Sequence, residues 1–402
     1  MDLKYEKEEK PLFHNFPEHT PKLHTGNAAG GSCLDVHTNS RRSSLRGVSF
    51  LLFLAIVASF VLVGCHKEPQ PITRTSFQLN TVVTVTIYDS QDQALLDGCM
   101  ELCKRYEAIF SRTLEDSELS LLNAQAALPE NAGKPLPLSG ELAALTAAGL
   151  SYSQLSQGAF DLTIAPLSSL WDFTAPEPVI PEAFALETAR PLVDYRKISL
   201  SMQQLSTEKS PSEASHDASE QASFITFQEP GMALDLGAIA KGYIADRMKE
   251  YLLSQGVKSA IIDLGGNILC VGEKPDGNPF KVGIQKPFAD RSQLIAYVNI
   301  RDLSVVSSGI YERCFTLDGQ FYHHLLDPHT GYPYENHLVS VTIICPDSVD
   351  GDGLSTSCFA LGLEKGLELL NSLDQVHGIF ITDNDEIYYT DGFSEALSVT
   401  EV

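Results

Sequence analysis

Met232–Tyr251 reads MALDLGAIAKGYIADRMKEY, and its local pattern is a strand, a turn at Gly237 and a helix with Ile244, Met248 and Tyr251 on one face. The start of such a helix offers free N–H groups and a positive dipole to an anion. Lys241 and Gly242 fall where a phosphate would approach. The G-x-x-x-x-G-K-[ST] loop is absent, and no G-x-G-x-x-G follows the first strand. Strands and helices do not alternate regularly along the chain, which argues against a doubly wound fold. The expected class is therefore α+β: mixed or antiparallel sheets with packed helices, in a single domain.

Downstream, Ala260–Gly272 (AIIDLGGNILCVG) reads as two strands joined at Gly265 and Gly266. Paired glycines permit φ > 0 and close approach by another group, and equally a plain hairpin turn. Leu303–Arg313 (LSVVSSGIYER) is a strand running into a Ser-Ser-Gly turn that contains Ser308. Phe321–Tyr334 (FYHHLLDPHTGYPY) sets His323, His324, Asp327, His329, Thr330 and Gly331 on turns fixed by Pro328 and Pro333. Side chains so held serve either a site or a solvated surface. Leu338–Cys345 is a strand, and Asp350-Gly351-Asp352 leads into a helix over Leu354–Leu363. Asp352 and Thr356, at i and i+4, share a face of that helix start. A carboxylate and a hydroxyl there suit a hard cation such as Mg²⁺; an N-cap aspartate beside a buried threonine is the plainer alternative. Gly378–Tyr389 reads as two short strands.

Upstream, Phe77–Tyr88 is a β-branched strand that contains Leu79 and Asn80, and Gln93–Phe110 is an amphipathic helix. Ser111–Asn123 reads as a loop with Ser117 as N-cap of a short turn, and Gly140–Gln157 as a helix. Asp161 lies in the apolar segment GAFDLTIAPLSSLWDF, where an unpartnered carboxylate is costly, so it is a structural cap or a ligand. Tyr195–Gln203 and Ser223–Phe227 are strands. The Ser- and Glu-rich stretch at about 205–222 between them reads as a disordered hairpin insertion.

The 402 residues carry a formal net charge of −24, with 43% hydrophobic and 20% charged residues. That is a globular composition, and the charge argues against a nucleic-acid partner or adhesion to acidic lipid. Arg41, Arg42 and Arg46 precede an apolar run, Val48–Val63, too short for a membrane span of about 20 residues and suited to a signal h-region. The run ends in Leu62-Val63-Gly64-Cys65, similar to a bacterial lipobox with Cys65 lipidated. The expected division is an N-terminal extension and signal over 1–64, a tether over 65–76 and a domain over 77–402. The chain is expected at a cell membrane, lipid-anchored and facing the periplasm or exterior. Of eight cysteines, Cys99 and Cys103 sit at i, i+4 without a second pair for zinc, and Cys270, Cys314, Cys345 and Cys358 read as small core residues.

The ordered set LDLGAIAKGYIAD, IIDLGGNILCVG, VVSSGIYER, HHLLDPHTGYP and Asp352-x-x-x-Thr356 resembles the ApbE-like FAD:protein FMN transferases, a flavin transferase family of exported lipoproteins. SELSLLN and GAFDLTIAPLSSLW extend the resemblance upstream, while the low-complexity insert departs from it. The resemblance implies one FAD as substrate with Mg²⁺ on its pyrophosphate, held by the main-chain oxygen of Ala238 and the side chains of Asp352 and Thr356. It implies FAD contacts at Leu79, Asn80, Leu121, Leu122, Asn123, Asp161, Lys241, Gly265, Gly266, Ser308, Thr330 and Gly331. His324 and Asp327 match the polar pair beside the scissile phosphate, with a near-neutral His324 as candidate base and His323 and His329 in reserve. The implied partner is an acceptor protein with an S/T-G-A-T-type motif, such as a subunit of Na⁺-pumping quinone reductase or Rnf-type complexes; the chain holds no SGAT or TGAT itself. An FAD pyrophosphatase giving FMN and AMP, a non-catalytic flavin-binding lipoprotein and an anchored structural lipoprotein are the competing expectations.

Overall fold

Eight antiparallel strands lie side by side in chain order: β1 Ile72–Gln78, β2 Thr81–Ile87, β3 Ser259–Leu264, β4 Asn267–Gly272, β5 Ser304–Gly309, β6 Leu338–Cys345, β7 His377–Thr382 and β8 Ile387–Tyr389. The computed structural model describes residues 70–204, 221–290 and 292–401. The signal region, the lipidation expected at Cys65 and nearly all of the insert at about 205–222 lie outside the described residues. Three smaller antiparallel sheets surround the frame. One pairs Ile198–Gln204 with Gln221–Phe227 and Pro135–Leu138, so the insert joins two adjacent strands of a hairpin.

Six helices matter for the site: α1 Gln93–Phe110, α2 Glu118–Ala126, α3 Gly140–Leu155, α4 Ala240–Ser254, α5 Ser348–Leu361 and α6 Leu363–Asn371. α4 packs between α1 and α5, and α5 lies on β5 and β6. In β2, Val83, Val85 and Ile87 alternate into the core and are fully buried. Each contributes about 1.5–3 kcal/mol of apolar burial. All eight residues of β6 are buried because both faces are covered: Val341 and Ile343 join the helical core, Ile344 a second core with Phe280 and Val298. The α+β class is the one expected. No described helix is long and apolar enough to cross a membrane.

Several local readings are corrected. Phe77–Tyr88 is not one strand but the hairpin β1–β2, reversed at Leu79 and Asn80 with φ of 54° and 55°. β1 starts at Ile72, inside the stretch read as tether. Met232–Leu236 is extended but joins no ladder beyond one bridge, Ala233 to Ile164, because its polar groups are taken elsewhere. Part of the loop read over Ser111–Asn123 is helix α2, N-capped by Ser117 as expected. Ser307, Ser308 and Gly309 continue β5 opposite Thr342, Val341 and Ser340 rather than turning. α5 starts at Ser348, so Asp352 sits inside the helix and not before it. The six described cysteines are free thiols, and all but Cys314 are buried.

Candidate functional site

The site gathers around the junction of α4 and α5. Gly242, in the first turn of α4, would normally donate its N–H to the carbonyl four residues back, at Ala238. It donates instead to Oδ2 of Asp352 (2.6 Å). Among the described residues no hydrogen bond reaches the Ala238 carbonyl, which lies just ahead of α4. Only glycine fits at 242: a Cβ there would lie 2.2 Å from the backbone oxygen of Ser348. The other oxygen of Asp352, Oδ1, accepts from Nδ2 of Asn267 (3.0 Å). In return Asp246 of α4 accepts the N–H groups of Ser348 (2.8 Å) and Val349 (2.9 Å) at the start of α5. Each helix thus caps the other with a carboxylate. Burial pushes Asp246 up to about 7 against those two bonds, and burial also raises Asp352, opposed first by the charge of Lys241.

One turn beyond Asp352, the Thr356 hydroxyl pairs with that of Ser308 (3.1 Å), which also meets Ser355 (2.8 Å). Asp352 and Thr356 stand one turn apart on α5, and with the main-chain oxygen of Ala238 the expected donors are all oxygens. Each Asp352 oxygen, with one bond made, keeps a lone pair. Such a set fits Mg²⁺, and the unpaired Ala238 carbonyl is the feature that a cation would satisfy. Among the described residues no group of three or more His, Cys, Asp or Glu is poised for a metal, so any site here rests on neutral oxygens beside one carboxylate.

The histidine-rich stretch separates its three histidines. His323, at the end of the short strand Gln320–His323, is buried and uses both ring nitrogens: Nε2 donates to the Tyr334 carbonyl (3.1 Å) and Nδ1 accepts from Leu325 N–H (3.3 Å). His329 is exposed. His324 is half-buried, and its Nδ1 lies 3.3 Å from the Arg313 carbonyl. A carbonyl only accepts, so Nδ1 carries the proton and the Nε2 lone pair is free. Burial, then the charges of Arg313, His323 and Lys241, push His324 down to about 4. The near-neutral value expected from sequence is therefore corrected: His324 is neutral at physiological pH, but a weaker base. The Lys241 charge acts in the same sense on both groups, lowering Asp352 and His324 alike.

The loop itself is held by Gly331 N–H to the Asp327 carbonyl and Asp327 N–H to the Tyr332 carbonyl (both 2.8 Å), with Gly331 at φ 79°. Trp171 Nε1 donates to the Gly331 carbonyl (2.9 Å). The Asp327 side chain accepts from His329 N–H (2.8 Å), and Thr330 Oγ1 from Tyr332 N–H (3.2 Å).

The remaining expected residues fall into two groups. Leu79, Asn80, Gly265, Gly266 and Ser308 are brought to one end of the main sheet by the β1–β2 and β3–β4 turns and the end of β5. Asn123 holds the segment that leads to Ala238, and Asp161 ties its own turn to Tyr195. Asn123 clasps Leu234 with Oδ1 accepting its N–H (2.8 Å) and Nδ2 donating to its carbonyl (2.9 Å). Asp161 accepts from Thr163 N–H and Oγ1 (2.8 and 2.6 Å) and Tyr195 N–H (2.9 Å), so of its two readings the cap is the one seen. Leu122 is buried beside Asn123, and Leu121 is exposed. Asn267, Asp246 and Ser348 were missed. The available signal was an asparagine directly after the glycine pair, at a position where a buried strand calls for an apolar side chain.

The sequence profile of the ApbE family matches residues 79–380. The chain belongs to the ApbE family. Among its relatives, the FAD:protein FMN transferase of Klebsiella pneumoniae (strain 342) is 38% identical over 298 residues, covering 74% of this chain and 85% of that protein. The FAD:protein FMN transferase of Treponema pallidum (strain Nichols) is 32% identical over 350 residues, 84% of this chain and 92% of that protein. The ApbE protein of Thermotoga maritima superposes with a TM-score of 0.68 at 27% identity, covering 81% of this chain and 99% of that one. The flavin transferase ApbE of Vibrio cholerae, at 23% identity and a TM-score of 0.67, shares the fold over 81% of this chain and 99% of its own. The ApbE match spans the main sheet from the Leu79–Asn80 turn into β7, and includes the α4–α5 junction and the histidine loop.

Proposed function

We propose that this chain transfers FMN from FAD to a threonine hydroxyl of an acceptor protein and releases AMP. The observation that carries the reading is the crossed capping of α4 and α5, which holds the Asp352 carboxylate on the first turn of α4 beside Lys241 in sequence, in a chain whose relatives are named FAD:protein FMN transferases. The threonine oxygen attacks the FMN-side phosphorus, the bond to the AMP phosphate oxygen breaks, and AMP leaves with the electron pair. The hydroxyl proton goes to Nε2 of His324, whose tautomer is set by the Arg313 carbonyl. Lys241 and the start of α4 offset phosphate charge. The main-chain oxygen of Ala238, the Asp352 carboxylate and the Thr356 hydroxyl would hold Mg²⁺, which when bound neutralises charge on the pyrophosphate.

Leu79, Asn80, Leu121, Leu122, Gly265, Gly266, Ser308, Thr330 and Gly331 belong to the proposed FAD surface, with Asn123 and Asp161 supporting it from behind. Asp327 shapes the loop beside the phosphate. Subunits of Na⁺-pumping quinone reductase or Rnf-type complexes are the proposed acceptors, and a lipid on Cys65 the proposed anchor facing the periplasm or exterior. The activity is tested by following covalent flavin fluorescence on an acceptor bearing an S/T-G-A-T motif, in a denaturing gel, with wild type and His324→Ala. Labelling by wild type that His324→Ala loses supports the reading; equal labelling removes His324 as base. Cys65→Ser is expected to move the chain from the membrane to the soluble fraction.

A further inference from the structure

Behind Asp352 runs a buried chain of polar side chains that the proposed reaction does not use. Ser348 Oγ donates to Asn267 Oδ1 (2.7 Å), Asn267 Nδ2 donates to Asp352 Oδ1 (3.0 Å), and Ser304 Oγ shares its one proton between Ser348 Oγ (2.9 Å) and the Ile268 carbonyl (3.2 Å). Ser304 and Ser348 are fully buried, Asn267 is 1% exposed and Asp352 4%. Direction is fixed from Ser348 to Asp352. A carboxylate only accepts, so the Asn267 amide nitrogen must face it, and the Asn267 oxygen is left to take the Ser348 proton. Gly242 N–H on Oδ2 is the second donor, so the carboxylate plane is held from both ends. The buried asparagine is otherwise costly in a strand, because it displaces an apolar side chain from a packed core.

We infer that Asn267 is a positioning residue that sets the orientation in which Asp352 presents its free lone pairs to a divalent cation, with Ser348 and Ser304 locking the amide. This rests on the reading of Asp352 as a metal ligand. Outer partners of this kind change metal affinity by roughly 10–100-fold when removed. Their loss leaves the reacting groups in place.

The test is Mn²⁺ binding to the purified full chain, read by electron paramagnetic resonance with and without FAD, alongside transfer rates against Mg²⁺ concentration. Asn267→Leu is expected to weaken Mn²⁺ binding at least ~10-fold, with transfer largely restored at high Mg²⁺. Ser348→Ala, which keeps the amide but frees it to turn, is expected to weaken Mn²⁺ several-fold and carries the test if Asn267→Leu does not fold. Asp352→Ala is the control. If Asp352→Ala leaves Mn²⁺ affinity unchanged, the metal-ligand reading fails and the positioning role with it. If Asp352→Ala abolishes binding while a folded Asn267→Leu, or Ser348→Ala in its place, binds Mn²⁺ within twofold of wild type, only the positioning role is overturned.

Discussion

Gly242 gives its N–H to Asp352 rather than to Ala238, four residues back on its own helix, at 2.6 Å. That exchange joins α4 to α5, frees a carbonyl at the junction and requires a residue without a Cβ. Asp246 returns the favour at the start of α5.

Gly242→Ala places a methyl group 2.2 Å from the Ser348 carbonyl oxygen, which belongs to a helix end and cannot move alone. The expected cost is about 1–3 kcal/mol of stability, as for other overpacked sites. Transfer should fall more steeply than stability because Asp352 is displaced. Chemical denaturation together with activity at saturating FAD checks both.

Asp246 has a defined pH signature. Its folded value of about 7 lies above the ordinary carboxylate 3.8, so the folded chain binds this proton more tightly than the unfolded one. The resulting stabilisation is full below about pH 4 and is lost as pH rises through 7. Asp347 beside it pushes the same way and Lys249 opposes. Asp161, Asp350 and Asp352 are raised too, but they are common to wild type and Asp246→Asn and cancel in the difference. The stability of wild type minus Asp246→Asn should therefore drop between about pH 5 and pH 8. A flat difference in thermal unfolding would show that Asp246 is ionised throughout.

His324, at about 4, is already unprotonated at neutral pH. Its contribution to the rate should be constant from about pH 5.5 upward and fall only as pH approaches 4. Loss of the base in His324→Ala should lower the rate by about 10²–10⁴. A pH–rate limb near 6.5 that vanishes in His324→Ala would contradict the low value.

Asn123→Ala removes both bonds to Leu234 and leaves a buried N–H and carbonyl unpaired. At about 1–3 kcal/mol for each orphaned group, the variant should lose about 2–6 kcal/mol, measured by urea unfolding. FAD affinity should fall with it, because the segment it holds ends at Ala238.

The sequence carried the α+β class, and less of how its strands connect. Lys241, His324, Asp352 and Thr356 drew attention through the order of their motifs, since each turn or helix start alone reads equally well as structural. The Leu79–Asn80 reversal was hidden because leucine rarely adopts positive φ, so a hairpin read as one strand. Ser307–Gly309 looked like a turn, yet the backbone pairs with β6 and the Ser307 and Thr342 hydroxyls meet at 2.7 Å. Met232–Leu236 had a strand's composition, but its ladder partners were replaced by the Asn123 side chain, a contact across 111 residues that no local pattern carries. The same holds for the crossed capping of α4 and α5, which depends on two helices meeting.

Transfer of FMN is tested most directly by incubating the purified full chain with FAD, Mg²⁺ and an acceptor bearing the S/T-G-A-T motif, then measuring acceptor mass and released AMP together. We expect an acceptor heavier by one FMN at its threonine, with one AMP per modified acceptor and no product when a chelator replaces Mg²⁺. FMN and AMP released with the acceptor unmodified, or FAD recovered intact, would contradict it.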